Sequence, residues 1–137
     1  MEDKYLHKAK RTDNGEWVQG YLVYDKRDKM YRIITEINYS TGTCLTTDNA
    51  PRVDLSTICQ CTGLKDENDK LIYENDIIRC KVGTAKVIWN KSEWRIEWLK
   101  NGLWRKDLYY WAVEDIQRIV VIGNIFDNKE LLESEEK

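Results

Sequence analysis

Apolar residues recur at every second position in several short stretches of the chain, and polar turns interrupt each stretch before it grows long. That is the pattern of half-buried β-strands. It is cleanest from Glu93 to Leu99, where Trp94, Ile96 and Trp98 share one face while Glu93, Arg95 and Glu97 share the other. Met30 to Ile37 repeats it, with Tyr31, Ile33, Thr35 and Ile37 on one side. Asp76 to Val82 and Thr84 to Trp89 are two more strands, separated at Gly83, and Asn90-Lys91-Ser92 turns the chain into the next. Near the start, Asn14-Gly15 supplies the positive φ angles of a tight hairpin turn, so strands are predicted on both sides, roughly 5–12 and 16–24. Asp25 to Lys29 is a second turn signal, and Asn101-Gly102 a further hairpin turn.

Other stretches are less regular. Asn38 to Thr43 is polar around a central Gly, and Asp48-Asn49-Ala50-Pro51 holds the chain's one proline, so Cys44 to Thr47 between them is at most a short strand. Val53 to Ile58 reads as either a turn or a short strand, and the composition shift places a subdomain boundary within 48–60. In 103–117, Leu108, Tyr109, Trp111, Ala112 and Ile116 partly suit a helix, but Tyr109, Trp111 and Val113 alternate among aromatic and β-branched neighbours, which favours a strand. Arg118 to Ile125 is a buried strand bent at Gly123, and Asn128 is the candidate cap of a short helix over 129–135.

The segment Gln60 to Cys80 carries the most specific pattern. Thr62-Gly63-Leu64-Lys65-Asp66, then Ile72-Tyr73-Glu74-Asn75-Asp76-Ile77-Ile78, frames a charged loop, and the whole reads as a hairpin. These residues resemble the signature of the YopX family of phage and prophage proteins, and Val121 to Leu132 is similar to that family's ending. The opening, Lys8 to Tyr24, resembles it too. The family usually has Tyr where Cys61 stands, Gly at Asp69 and Asn75, and often Pro at Lys129. Asn is the residue after Gly that best tolerates left-handed backbone, so its presence at 75 implies a conformational demand there. The resemblance implies a protein made inside a bacterial host and supplies no settled biochemical role.

Composition narrows the class. A chain of 137 residues suits one domain, or one with a small companion. Its six Trp and eight Tyr provide large buried areas at few positions. The net charge of -2 gives no overall attraction to phosphate backbones or anionic membranes, so a nucleic-acid footprint would need to be a local stripe. No apolar run is long enough to span a bilayer, and Met1-Glu2-Asp3-Lys4 lacks a signal-peptide pattern, which points to the cytoplasm.

Candidate chemistry is sparse. The loop Asp66-Glu67-Asn68-Asp69 gathers oxygen ligands, but counted as a calcium loop from Asp66 it places Leu71 where a Gly is needed and Ile77 where a bidentate Glu belongs. Cys59 and Cys61 would face one side of a strand, with Cys44 or Cys80 as partners for zinc, but structural zinc sites favour Cys-x-x-Cys spacing, and a reduced cytoplasmic thiol is the simpler reading. His7 is the only histidine, and no phosphate-binding Gly-rich loop or dinucleotide fingerprint exists. The pairs Glu74 with Asp76 and Glu114 with Asp115 are acid-base candidates that chance accounts for in a chain of 24 acids. Neither a metal nor a cofactor is expected. For binding, Arg79, Lys81, Lys86, Lys91 and Arg95 interleave with Trp89, Trp94 and Trp98, a mixture suited to single-stranded nucleic acid. Against this, Trp94 and Trp98 around Ile96 can fill a core, and Glu93 and Glu97 dilute the positive stripe.

The sequence therefore predicts an all-β fold with a short C-terminal helix. An N-terminal β region covers 1–59, a small bent antiparallel barrel of the Src-homology or KOW type covers 60–126, and a helical tail covers 127–137. The expected function is that of a non-enzymatic binding module whose partner is a host or phage protein, or another copy of itself, with no membrane association. The alternative is nucleic-acid binding through Arg79, Lys81, Lys86, Trp89, Lys91 and Arg95.

Overall fold

Hairpins of adjacent strands account for most of the structure. The computed structural model of the chain describes residues 3–35, 50–113 and 118–133, so the short strand expected at 44–47, the polar turn before it and Ile37 lie outside the described residues. The described strands are all antiparallel and fall into two sheets, which makes the protein all-β with little helix. The chain divides into two compact units, Met1–Cys61 and Thr62–Lys137.

In the first unit, β1 (His7–Lys10) pairs with β2 (Trp17–Asp25), and β2 pairs with β3 (Met30–Ile34). The turn between β1 and β2 closes through Arg11 and Glu16, with Gly15 at a φ of 74°. Asn14 does not share the positive φ; its side-chain Oδ1 instead accepts the Glu16 N–H at 2.9 Å. The segment after Ala50 hydrogen-bonds on both sides. Ile33 and Val53 donate to the carbonyls of Pro51 and Tyr31, while Thr12 and Asp54 donate to those of Arg52 and Lys10. Ala9, Ile33 and Val53 are thereby brought into one buried cluster, flanked by Val18, Leu22, Tyr31 and Ile58. A single 3-10 turn, Leu55–Thr57, follows, capped by the Asp54 side chain, so Val53 to Ile58 is a turn.

β4 (Cys59–Lys65) begins beside β1 and ends in the hairpin with β5 (Leu71–Tyr73). The signature is thus a β-hairpin with a charged loop, as its pattern implies. Asp66 closes the loop: its backbone N–H donates to the Lys70 carbonyl, and its buried carboxylate accepts the N–H groups of Asn68 and Lys70, each at 2.9 Å. Thr62 contributes its hydroxyl, donating to the Ile72 carbonyl at 2.8 Å and accepting from Leu64 N–H. Both positions where the family favours Gly have left-handed backbone, Asp69 with φ 68° and Asn75 with φ 70°. At the turn after β5, the Asp76 carboxylate, 1% exposed, accepts the Tyr73 N–H at 2.8 Å.

The second unit is built on the sheet β8-β7-β6-β9, where β6 is Asp76–Cys80, β7 Gly83–Asn90, β8 Glu93–Asn101 and β9 Val120–Asn124. Lys91 and Ser92, both at positive φ, make the two-residue turn from β7 to β8. The barrel expected over 60–126 does not close, because other segments occupy both outer edges. On β8, the Ile96 N–H donates to the Lys106 carbonyl and Arg95 bridges to Asp107. On the other edge, the Val121 N–H donates to the Asp66 carboxylate and the Glu67 N–H to the Ile119 carbonyl. With these bonds made, β8 and β9 have no need of each other.

The strand expected over 103–117 is also replaced. Leu108–Val113 forms the helix α1, and 114–117 lies outside the described residues. Leu108 and Trp111, three apart, both bury against Ile96, Val87 and their neighbours, which only a helical turn allows. Ile78, Ala85, Val87 and Ile96 supply the sheet side of this core, with Trp94 and Trp98 packed at its margin. At the tail, Lys129–Leu132 is a short 3-10 helix that the Asn128 side chain does not cap. Asn128 Oδ1 instead accepts the Asn124 N–H at 3.1 Å.

Candidate functional site

The predicted nucleic-acid residues divide between the two faces of the sheet: register places Arg79, Lys86 and Arg95 on one face and Trp89 on the other. Lys86 and Arg95 are half-buried and engaged in ion pairs with Glu97 at 3.2 Å and Glu93 at 2.5 Å. Lys91 is exposed at the β7–β8 turn. Arg79 and Lys81 line one cleft, while Trp89 lines another. Trp94 and Trp98, the remaining stacking candidates, border the core, and Trp98 lies edge-on to the buried Trp111 at 5.4 Å.

The Trp89 cleft is the more elaborate. Register pairs Trp89 on β7 with Trp94 on β8, and their rings meet edge to face at 4.9 Å. Both sit at the end of the sheet face that buries Val87 and Ile96. Tyr109, on the outer side of α1, faces the same space, a cleft of about 360 Å3 completed by Thr62, Leu64, Ser92, Glu93 and Asp107. Trp89 is 54% exposed and Tyr109 64% exposed, so two large rings stand in solvent beside a half-buried third. Tyr109 and Val113, four apart on α1, are both exposed, and in the preceding loop Trp104 is 83% exposed.

The charge at this cleft is balanced. Arg105 donates to Asp107 at 2.7 Å, and this hydrogen bond, against a smaller opposing effect of burial, holds the Asp107 carboxyl below its ordinary range. Arg105 also lies 4.1 Å from the centre of the Tyr110 ring. Glu93 and Asp107 are therefore each met by an arginine, leaving little net positive field at the aromatic rings.

The second cleft, of about 320 Å3, lies between β6 and β9. Arg79, Lys81 and Arg118 surround it and Cys80, Val120 and Ile122 give it an apolar wall. Arg118 is the residue sequence reasoning missed, because nothing local marks it and only the pairing of β6 with β9 brings it near Arg79. Tyr109 escaped for a different reason: its role depends on the helix. The three-residue spacing of Leu108 and Trp111 was the available signal.

The remaining candidates have structural surroundings. Cys59 and Cys61 are buried on one side of β4, with the Cys59 thiol donating to the Thr57 carbonyl at 3.3 Å, and Cys44 lies outside the described residues. Among the described residues no three His, Cys, Asp or Glu side chains are grouped to hold a metal. His7 is half-buried within β1, Asp76 is committed to its turn, and Glu114 and Asp115 lie outside the described residues. Arg32 and Arg52 are engaged by Asp28, and Arg27 and Arg32 by Asp25. No helix among the described residues is long and apolar enough to cross a membrane.

Fold and site together define an all-β protein with two antiparallel sheets, an aromatic cleft and a basic cleft. The chain belongs to the YopX family, whose model, described as YopX protein, matches residues 6–133. Among solved structures it is similar to the crystal structure of protein EF1440 from Enterococcus faecalis, at 26% identity and a TM-score of 0.57, covering 93% of this chain and 96% of that one. No curated protein matches the chain.

Proposed function

We propose that the protein is a phage or prophage accessory protein that works by binding, without catalysis, in the cytoplasm of a bacterial host, and that its target is a protein. The observation that carries this reading is the pair of exposed rings, Trp89 and Tyr109, set around the half-buried Trp94 in one cleft. Trp and Tyr dominate the energetics of protein interfaces because each covers a large area while ordering few torsions. A partner's apolar side chain entering between the rings would bury them on three sides.

The charge distribution favours protein over nucleic acid at this surface. Glu93 and Asp107 line the cleft, while Lys86 and Arg95 project from the opposite face of β7 and β8 and already have carboxylate partners. A phosphate backbone approaching the rings would find the arginines that meet those two acids, Arg95 and Arg105, already paired with them.

The test is affinity capture from host cells with the wild-type chain and with Trp89→Ser, Tyr109→Ser. A specific host or phage protein retained by the first and lost by the second is the expected result. Equal capture by both, or retention of nucleic acid that washes away steeply with salt, would overturn the reading.

A further inference from the structure

We propose that the cleft between β6 and β9 is a binding site for a small organic anion, one that carries a carboxylate, sulfonate or phosphate group on an apolar body. Arg79, Lys81 and Arg118 surround it. Among the described residues Arg79 and Lys81 have no ion pair, and Arg118 has only the long contact with Glu67 at 3.8 Å. Like charges gathered round one cleft repel one another, and a bound anion reverses that cost. Between the cations, Val120 and Ile122 present half-buried apolar side chains that an apolar body would cover.

Size and lining select the ligand class. A volume of about 320 Å3 holds one small molecule. None of the lining residues is aromatic, so the cleft lacks the stacking platforms that single-stranded nucleic acid uses. A bare inorganic anion would leave the apolar wall uncovered.

The cleft is held by the family signature. Asp66 binds the Val121 N–H and Glu67 binds the Ile119 carbonyl, which fixes the start of β9 on either side of Val120. Arg118 leads into this anchored segment with its backbone at a φ of 45°, a conformation that needs such support. Within β9, the pairing with β6 slips between Ile77 and Ile78, and the extra residue accommodated there is Ile122. The signature hairpin, remote in sequence from β9, thus positions the cleft's residues while touching no ligand itself.

The experiment is titration of the full chain with 8-anilinonaphthalene-1-sulfonate, which joins a sulfonate to an apolar body. Saturable fluorescence is expected. Competition should come from decanoate or an alkyl phosphate far more readily than from inorganic phosphate. Affinity should fall about tenfold or more in Arg79→Ser, Lys81→Ser, and also in Arg118→Gln, with melting curves unchanged. Bound dye should also slow alkylation of Cys80, which lines the cleft. Absence of saturable binding, or unchanged affinity in folded variants, would overturn the site. Displacement by a short single-stranded oligonucleotide with a steep salt dependence would overturn it in favour of nucleic acid.

Discussion

The carboxylate of Asp66 accepts the backbone N–H of Val121 at 2.9 Å, across a sequence separation of 55 residues. The same carboxylate holds the N–H groups of Asn68 and Lys70. One buried side chain therefore shapes the signature loop and fastens the last strand to it. Replacing it with Ala leaves three donors to find new partners, and a loss of about 3 kcal/mol is expected in urea denaturation. Asp66→Asn should lose less, since its carbonyl oxygen still accepts while its amide nitrogen cannot.

Asp69 and Asn75 occupy left-handed backbone at the two places where Gly is usual in the family. Asp69 is well exposed, and its ion pair with Lys65 spans 3.7 Å at the surface. Asp69→Gly should therefore stabilise the chain by about 0.5 kcal/mol, and Asp69→Val should destabilise it by about 1–2 kcal/mol. Thermal melts of the two variants against wild type measure both signs. The conformational demand at Asn75 was legible in the sequence, because a family Gly replaced by Asn identifies backbone that few residues tolerate.

Gly102 has a φ of 112°, and a Cβ added there would fall 2.1 Å from the Trp98 ring. Gly102→Ala is expected to cost about 2 kcal/mol and to shift the tryptophan fluorescence as the Trp98 ring moves away from Trp111. An unchanged spectrum with unchanged stability would mean that the loop after β8 relaxes freely.

Acid should weaken the fold at the foot of α1. The hydrogen bond from Arg105 depresses the Asp107 carboxyl in the folded state, so its contribution is present above the unfolded value of about 3.9 and is lost as pH falls through the lower folded value. Denaturation midpoints measured from neutral pH down to about pH 3 should show a smaller acid-induced loss in Asp107→Asn than in wild type.

Most strands and turns were readable because each depends on neighbours in sequence, although Asn101-Gly102, both at positive φ, leads toward α1 and closes no hairpin. Trp94, Ile96 and Trp98 alternate, and Lys91-Ser92 sits between two such runs. The helix α1 was misread because Tyr109, Trp111 and Val113 also alternate, and tertiary contacts decided between the two periods: Leu108 and Trp111 share a buried face only as a helix. The barrel failed to close for a reason no local pattern carries. Asp66 and Lys106 take the hydrogen bonds of the sheet's two edges, and both arrive from outside the strands they meet. The basic cleft was half legible, since Arg79 and Lys81 stand together in sequence while Arg118 joins them only through the pairing of β6 with β9.

In the proposed division of labour the signature builds the fold and the aromatic cleft binds the partner. This division is tested most directly by the dissociation constant of a captured partner for wild type and for folded Trp89→Ser, Tyr109→Ser. A loss of about a hundredfold or more, with the denaturation midpoint kept, is the expected result for two exposed rings acting as interface anchors. An unchanged dissociation constant in the folded variant would contradict it.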